Sequence, residues 1–338
     1  MDSITQIVLG AACGEAALGK KIGNKALLFG AIGGTIPDLD VFIGGWLYGN
    51  EIDAMLFHRG FMHSILFSVL GAFLFGWLTH KLYNTGKRKN TTTQKDWTWL
   101  FFLSLFTHPI LDAFTPYGTQ LFAPFSNYRV ALNNISVADL AYTVPFLLCL
   151  IIMMFFKRNT SRRKLWLQLS LGISSAYMLF TLSNKMYMDS VFKNSFIENE
   201  IEFNRYSTQP TILNNILWYG IAETNTDYHV GFYSLLDDSY SVENIIKIPK
   251  EHNLIDVNHP DIEDLAWFSN GYFNLKQKDS SIQYIDMRYP LMSEDDPESS
   301  VFVFELVKEN NRWDIKPFYG EPPSSEDLNN FIDRIKGQ

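Results

Sequence analysis

The chain has 338 residues, enough for two domains, and carries 28 Lys and Arg against 36 Asp and Glu at a mean hydropathy near zero. Neither half resembles that average: residues 1–195 hold 17 Lys/Arg and 10 Asp/Glu, whereas residues 196–338 hold 11 and 26. An apolar half with basic loops followed by an acidic, water-soluble half excludes a single soluble globule, and no nucleic-acid partner is expected. Cys13 and Cys149 both lie in apolar stretches without CxxC spacing, which excludes a disulfide framework and a thiolate zinc site.

In chain order, the start has no basic n-region and Glu15 interrupts its apolar run, so neither a cleaved signal peptide nor a lipoprotein signal at Leu9–Cys13 is expected. Residues 4–19 are rich in Gly and Ala, and residues 25–48 are broken by Pro37. Small residues let helices approach closely, so these two segments are expected to pack inside a bundle. Residues 64–83, 139–156 and 165–183 are long and apolar enough to cross a bilayer, and 97–113 form a fourth such segment that turns polar toward its end. Beyond residue 196 the pattern becomes alternating. GFYSLL, IQYIDMRY and VFVFELV read as strands, with breaks at Asp-Asp, at Lys278–Ser281 and at Glu-Asn-Asn. A last helix is expected over 324–336, with Ser324 or Ser325 at its start and Glu326 in its first turn. The predicted fold is mainly α: a polytopic helical membrane domain of about six membrane-embedded segments (residues 1–190), then a small acidic α+β soluble domain (residues 196–338).

Orientation follows from basic loops. Lys20-Lys21-Lys25, Lys87-Arg88-Lys89 and Lys157-Arg158 with Arg162-Arg163-Lys164 each fall between successive pairs of the six segments. One topology places all three in the cytoplasm, and it sends the C-terminal domain to the extracytoplasmic side of the cell membrane.

Carboxylates and imidazoles in apolar segments are expensive, so each one asks for a reason. They come in three groups: Asp38 and Asp40 in PDLD, His58 and His63 in HRGFMHS, and His108 with Asp112 in THPILD. The last pair is spaced i, i+4, on one helical face. All fall toward the outer ends of their segments, as does Gln6. Imidazole nitrogens and carboxylate oxygens are the ligands of catalytic zinc and similar ions, and such a site activates water and steadies an oxyanion. Arg59 and Arg129 are candidates for binding a phosphate, and Glu15 for a general base, a ligand or a buried hydrogen-bond partner. Asp139 reads as a helix start, and His229, His252 and His259 as ordinary surface residues.

The segments MDSITQIVLGAACGEAALGKKIGNKALLFGAIGGTIPDLD, HRGFMHS and THPILDAFTPYGTQLFAPFS resemble the YdjM-like (DUF457) group of membrane-bound metal-dependent hydrolases over about residues 1–185. The resemblance implies an inner-membrane protein distantly similar to zinc-dependent phospholipase C, with Asp38, Asp40, His58, His63, His108 and Asp112 as the metal positions. It also implies a departure, since many relatives have His where this chain has Gln6, a poorer zinc ligand. The acidic C-terminal domain lies outside the resemblance. The expected function is hydrolysis of a lipid-linked or membrane-proximal ester, a phosphoester first, with zinc as the divalent ion. Two alternatives stay open: an ion-binding or transport protein in which the same residues line a path, and a non-catalytic membrane scaffold.

Overall fold

Ten α-helices and eight strands make up the residues described in the computed structural model, which are all but 279–280, 292–298 and 318–323. The expected break at Lys278–Ser281 thus lies partly outside the described residues. Two compact units emerge, Met1–Gly44 with Phe57–Leu182, and Gly45–Leu56 with Ser183–Gln338. The sequence places the boundary near residue 195. In the structure it falls inside a helix, and residues 45–56 join the second unit.

The first unit begins with α1 (Ser3–Ile22) and α2 (Asn24–Thr35), which meet backbone to backbone. A Cβ on Gly10 would lie 2.4 Å from the Gly30 carbonyl oxygen, and one on Gly14 would lie 2.1 Å from that of Ala26. Only glycine permits this approach, so the small residues act as the sequence suggested. Pro37 cannot continue α2, and a 3₁₀ turn (Pro37–Leu39) leads into α3 (Asp40–Leu47) with a bend of 43°. After α4 (Glu51–Phe57), Ser64 caps α5 (Ile65–Tyr83), accepting a bond from Phe67 N. Thr93 and Asp96 form a capping box on α6 (Gln94–Asp112). α7 (Leu140–Met154) starts at Asp139, whose carboxylate accepts from Tyr142 N, and α8 (Ser161–Glu198) runs on into the second unit. The core is apolar: Leu18, Ala26, Ala72, Trp97 and Leu105 pack in one cluster, and Val8, Leu27, Tyr142 and Phe146 in another.

The expectation of six spans is not supported. Among the described residues two helices, α5 and α8, are long and apolar enough to cross a membrane, and a third span arises if α2 and the bent segment Pro37–Leu47 count as one. The 15 residues of α7 rise only about 22 Å, short of a hydrocarbon core of about 30 Å. α1 and α6 carry charged side chains and are extensively buried among their neighbours.

The three basic loops nevertheless meet at one end of this unit. Lys21 Nζ bonds Asp96 at the start of α6 (2.6 Å), Arg158 donates to the Lys21 carbonyl, and Asn24 donates to Met154 O (3.1 Å). Lys25 and Arg88 both lie over the Tyr83 ring.

The second unit contains two antiparallel meanders. β1 (Arg205–Pro210), β2 (Leu217–Glu223), β3 (Asp227–Ser234) and β4 (Ile245–Pro249) form one. β5 (Phe273–Lys278), β6 (Ser281–Asp286), β7 (Val303–Glu309) and β8 (Arg312–Pro317) form the other, with α9 (Pro260–Phe268) between them and α10 (Ser325–Ile335) after them. Gly220 pairs with Gly231 across β2 and β3, and the Phe192 ring of α8 occupies the space a Cβ at Gly220 would need. Ile52 is fully buried among Ile262, Leu265, Phe273 and Tyr284, so the segment 45–56 supplies part of this unit's own core. Asn50 donates to Trp313 O, and Asp314 accepts from Glu51 N. The expected last helix is α10, with Ser324 and Asp327 as its capping box.

Candidate metal centre

Three chain segments deliver His and Asp side chains, and a fourth a Gln, to the end of the first unit opposite the basic loops. The 3₁₀ turn after α2 carries Asp38, and Asp40 follows it at the start of α3. A second 3₁₀ turn (Phe61–His63), just before the Ser64 cap, carries His63. The last turn of α6 carries His108 and Asp112, and the first turns of α1 carry Gln6.

One ligand atom from each of Asp38, His63, His108 and Asp112 falls in a single cluster. His63 Nε2 and His108 Nε2 are 3.1 Å apart, and Asp38 Oδ1 lies 3.3 and 3.4 Å from them. Asp112 Oδ2 lies 3.4 and 3.5 Å from the same two nitrogens. A regular tetrahedron drawn around zinc, with ligands at about 2.0–2.1 Å, has edges of about 3.3–3.4 Å. The five edges quoted lie close to that figure.

Each imidazole has a neighbour on its far side. His108 Nδ1 is 2.6 Å from the Gly34 carbonyl oxygen, and His63 Nδ1 is 3.0 Å from Asp40 Oδ2. The Gly34 carbonyl accepts a proton only from His108 Nδ1, which leaves Nε2 with its lone pair, the tautomer a metal needs, while Asp40 stands beside His63 Nδ1 without hydrogen-bond geometry. Asp40 is itself anchored, with Oδ1 2.7 Å from His58 Nδ1 and Oδ2 accepting from Arg59 N at 3.0 Å. Asp40, His58 and His63 make a second, overlapping group. The six residues named from the sequence therefore divide: four share the first cluster, while Asp40 and His58 stand behind His63. Burial pushes the His58 imidazole below its usual range, outweighing the Asp40 carboxylate that pulls it upward.

Gln6 Nε2 donates to Asp112 Oδ1 (2.8 Å) and to His108 O (3.2 Å), so it orients Asp112 and turns Oδ2 toward the imidazoles. The Met1 amino group also bonds Asp112 Oδ1. Asp112 Oδ2 and Gln6 Oε1 are buried and accept no hydrogen bond. Arg59 Nε lies 3.3 Å from that carboxylate oxygen without forming a hydrogen bond, so the lone pairs aimed at the two imidazoles stay open, and the donor set fits a divalent ion. The Asp38 and His58 side chains are each 20% exposed while those of His63, His108, Asp40 and Asp112 are not exposed, so access is from the Asp38–His58 side.

The sequence model of the YdjM inner membrane protein family matches residues 1–188, the stretch that holds all of these residues. The chain belongs to that family. Among proteins similar to it is the inner membrane protein YbcI of Escherichia coli (strain K12), 31% identical over 149 residues, covering 40% of this chain and 77% of YbcI. The uncharacterized protein YfhP of Bacillus subtilis (strain 168) is 30% identical over 146 residues, covering 41% of this chain and 42% of YfhP. No solved structure matches. Helices able to span a membrane and the family together make this an inner-membrane protein.

Glu15, Arg59 and Arg129, the candidates for base and phosphate binding, are all engaged by other groups of the YdjM-type unit. Glu15 is not at the cluster. It lies nine residues beyond Gln6 on α1, a rise of about 13 Å, and Arg163 grips it with two bonds of 2.7 and 2.6 Å. A carboxylate so engaged is a buried hydrogen-bond partner, not a base. Arg59 is at the cluster, but its guanidinium is committed to Asp112 Oδ2 (3.3 Å) and Thr115 Oγ1 (3.0 Å) and lies buried over the Tyr117 ring. It balances Asp112 rather than facing solvent. Arg129 donates to the carbonyls of Tyr117 and Gly118 and stacks on the same ring. Thr115, Tyr117 and the Gly34 carbonyl were missed in the sequence. Tyr117 sits within the THPILDAFTPYGTQ motif, but a backbone carbonyl leaves no trace in residue type. In the second unit, His252 stacks on Phe273 and His259 caps α9.

Proposed function

We propose that this protein is a membrane-embedded, zinc-dependent hydrolase of a lipid-linked or membrane-proximal phosphoester, working at the extracytoplasmic face. The observation that carries the reading is the convergence of one ligand atom each from Asp38, His63, His108 and Asp112, with five of their separations close to the edge of a zinc tetrahedron and all but Asp38 fully buried. Those four residues would hold the ion. A divalent ion there supplies Lewis acidity toward water and toward an ester oxygen. The chain's own residues do the rest. Gly34 O holds the His108 proton on Nδ1, Asp40 stands beside His63 Nδ1, Gln6 and Arg59 orient Asp112, and the half-open Asp38–His58 side admits substrate. The Tyr117 ring, within 5.5 Å of His58 between ring centroids, lies beside that opening.

The side of the membrane follows from charge. The three basic loops gather at the opposite end of the unit from the His/Asp cluster, and basic loops are retained in the cytoplasm. α8 starts among them, so a chain crossing with α8 delivers the C-terminal domain outside.

Detergent-purified protein, stripped of metal and reloaded with zinc or manganese, is assayed on lipid-like phosphodiesters. Turnover that needs the ion and disappears in His108→Ala and Asp112→Asn, with membrane insertion kept, supports the reading. Metal bound without turnover on any ester contradicts it and favours a scaffold. Ion flux that depends on Asp38 favours transport.

A further inference from the structure

A cavity of about 370 Å³ opens at the basic end of the first unit between the end of α1, the loop before α8 and the first turns of α8. Lys20, Arg158, Arg163 and Lys164 line it, with Glu15 as its one carboxylate. The Glu15 charge is already spent on Arg163, whose guanidinium also bonds Asn24 and the Phe156 carbonyl. That leaves Lys20, Arg158 and Lys164 as three uncompensated cations around one cavity. The Arg158 side chain bonds only a backbone carbonyl, that of Lys21, and the Lys20 and Lys164 side chains have no ion pair or hydrogen bond among the described residues.

Retention of basic loops in the cytoplasm asks only that they be basic. It does not ask that cations from separate chain segments line one cavity, where their like charges repel one another. An anion in the cavity removes that repulsion. The walls also say what kind of anion. Ala16 lies one turn inward from Lys20 on α1, and Leu167 one turn inward from Lys164 on α8, and both line the cavity. Cationic heads therefore stand at the level of the helix ends, with apolar surface beginning one turn deeper. A ligand matching both is a phosphate ester carrying hydrocarbon.

We propose that this cavity binds the phosphate group of an anionic phospholipid from the leaflet the basic loops face. The site is separate from the His/Asp cluster and independent of the hydrolase reading. Two chains of lipid alongside α1 and α8 would brace the helix ends that Arg163 and Glu15 already join.

The test uses the full-length protein in detergent, with bound lipid read by native mass spectrometry after addition of phosphatidylglycerol or phosphatidylcholine. The wild type should retain phosphatidylglycerol in preference to phosphatidylcholine, and Lys20→Ala/Lys164→Ala should weaken that retention about tenfold or more. Lys87→Ala/Lys89→Ala removes the same charge from a basic loop outside the cavity and should leave retention near the wild-type level. Equal losses in the two double variants, or no preference for phosphatidylglycerol in the wild type, would overturn the proposal. So would protection of the wild type by inorganic phosphate alone at the lipid's concentration, which would make the ligand a free anion. Both pairs of lysines are exposed, and an unchanged gel-filtration profile separates lost binding from lost folding.

Discussion

Two buried polar clusters sit at opposite ends of the same helices, and they are built on different principles. At the basic end, Glu15 and Arg163 satisfy each other: both carboxylate oxygens are bonded, and the guanidinium also reaches Asn24 and Phe156 O. At the other end, Asp38, Asp40 and Asp112 outnumber the neighbouring cations, Arg59 and the Met1 amino group, and Asp112 Oδ2 and Gln6 Oε1 accept no hydrogen bond. A polar cluster complete in itself holds helices together. One short of positive charge, with its lone pairs converging, is built around something it binds.

The largest expected effect breaks the complete cluster. Glu15→Ala strands the Arg163 charge and should cost about 3–5 kcal/mol of stability, with or without metal. Replacing both members, Glu15→Leu with Arg163→Met, should recover most of that in thermal or denaturant unfolding. A double variant no better than the single one would make the pair more than structural.

The incomplete cluster should behave in the opposite way. Zinc added at about 100 times its dissociation constant should stabilise the wild type by about 2.7 kcal/mol, and His63→Ala should abolish that increment. Equal stabilisation of both proteins would place the ion elsewhere. A smaller change is expected one step back from the cluster, where Asp40→Asn loosens the His63 ring. Zinc affinity should fall about 10–100-fold, with the protein still folded and still loading at higher zinc. An unchanged affinity would remove Asp40 from the account.

The second unit serves as the control region, with ion pairs that are structural and respond to acid. Burial works to raise the Glu223 and Asp261 carboxyls, but hydrogen bonds from Lys250 and Arg205 to the first, and from Arg312 and the Trp313 backbone to the second, hold both below the usual range. A depressed carboxyl contributes stability that is complete above its unfolded value, about 4. That contribution is lost as the pH falls through the folded value. Unfolding of this unit should therefore become easier on acidification below about pH 4, and Asp261→Asn should flatten part of that dependence. A variant with the wild-type acid profile would contradict it.

Much of the candidate site is legible in the sequence because a carboxylate in an apolar segment needs a reason, and Asp38, Asp112 and His108 all stand out on that ground. What the residues alone do not reveal is their division. Asp38 and Asp40 are two apart, and only the 3₁₀ turn after Pro37 decides that one faces the cluster and the other backs His63. Glu15 looks equally costly, but its partner is 148 residues away in sequence. The span count came out too high because an apolar helix reads alike whether it faces lipid or neighbours, and α1 and α6 face neighbours. Ile52 is a lone apolar residue between Glu51 and Asp53, so nothing local shows that it belongs to the core of the second unit.

The central claim is that four side chains form one metal centre, and X-ray absorption at the zinc edge on the metal-reloaded, full-length protein tests it most directly. The account predicts one zinc per chain, with two imidazole nitrogens and carboxylate oxygens at about 2.0–2.1 Å, and loss of the imidazole signal and of stoichiometric zinc in a His63→Ala/His108→Ala double variant. Wild-type protein that takes up no stoichiometric zinc, or whose zinc spectrum is the same in that variant, would contradict it.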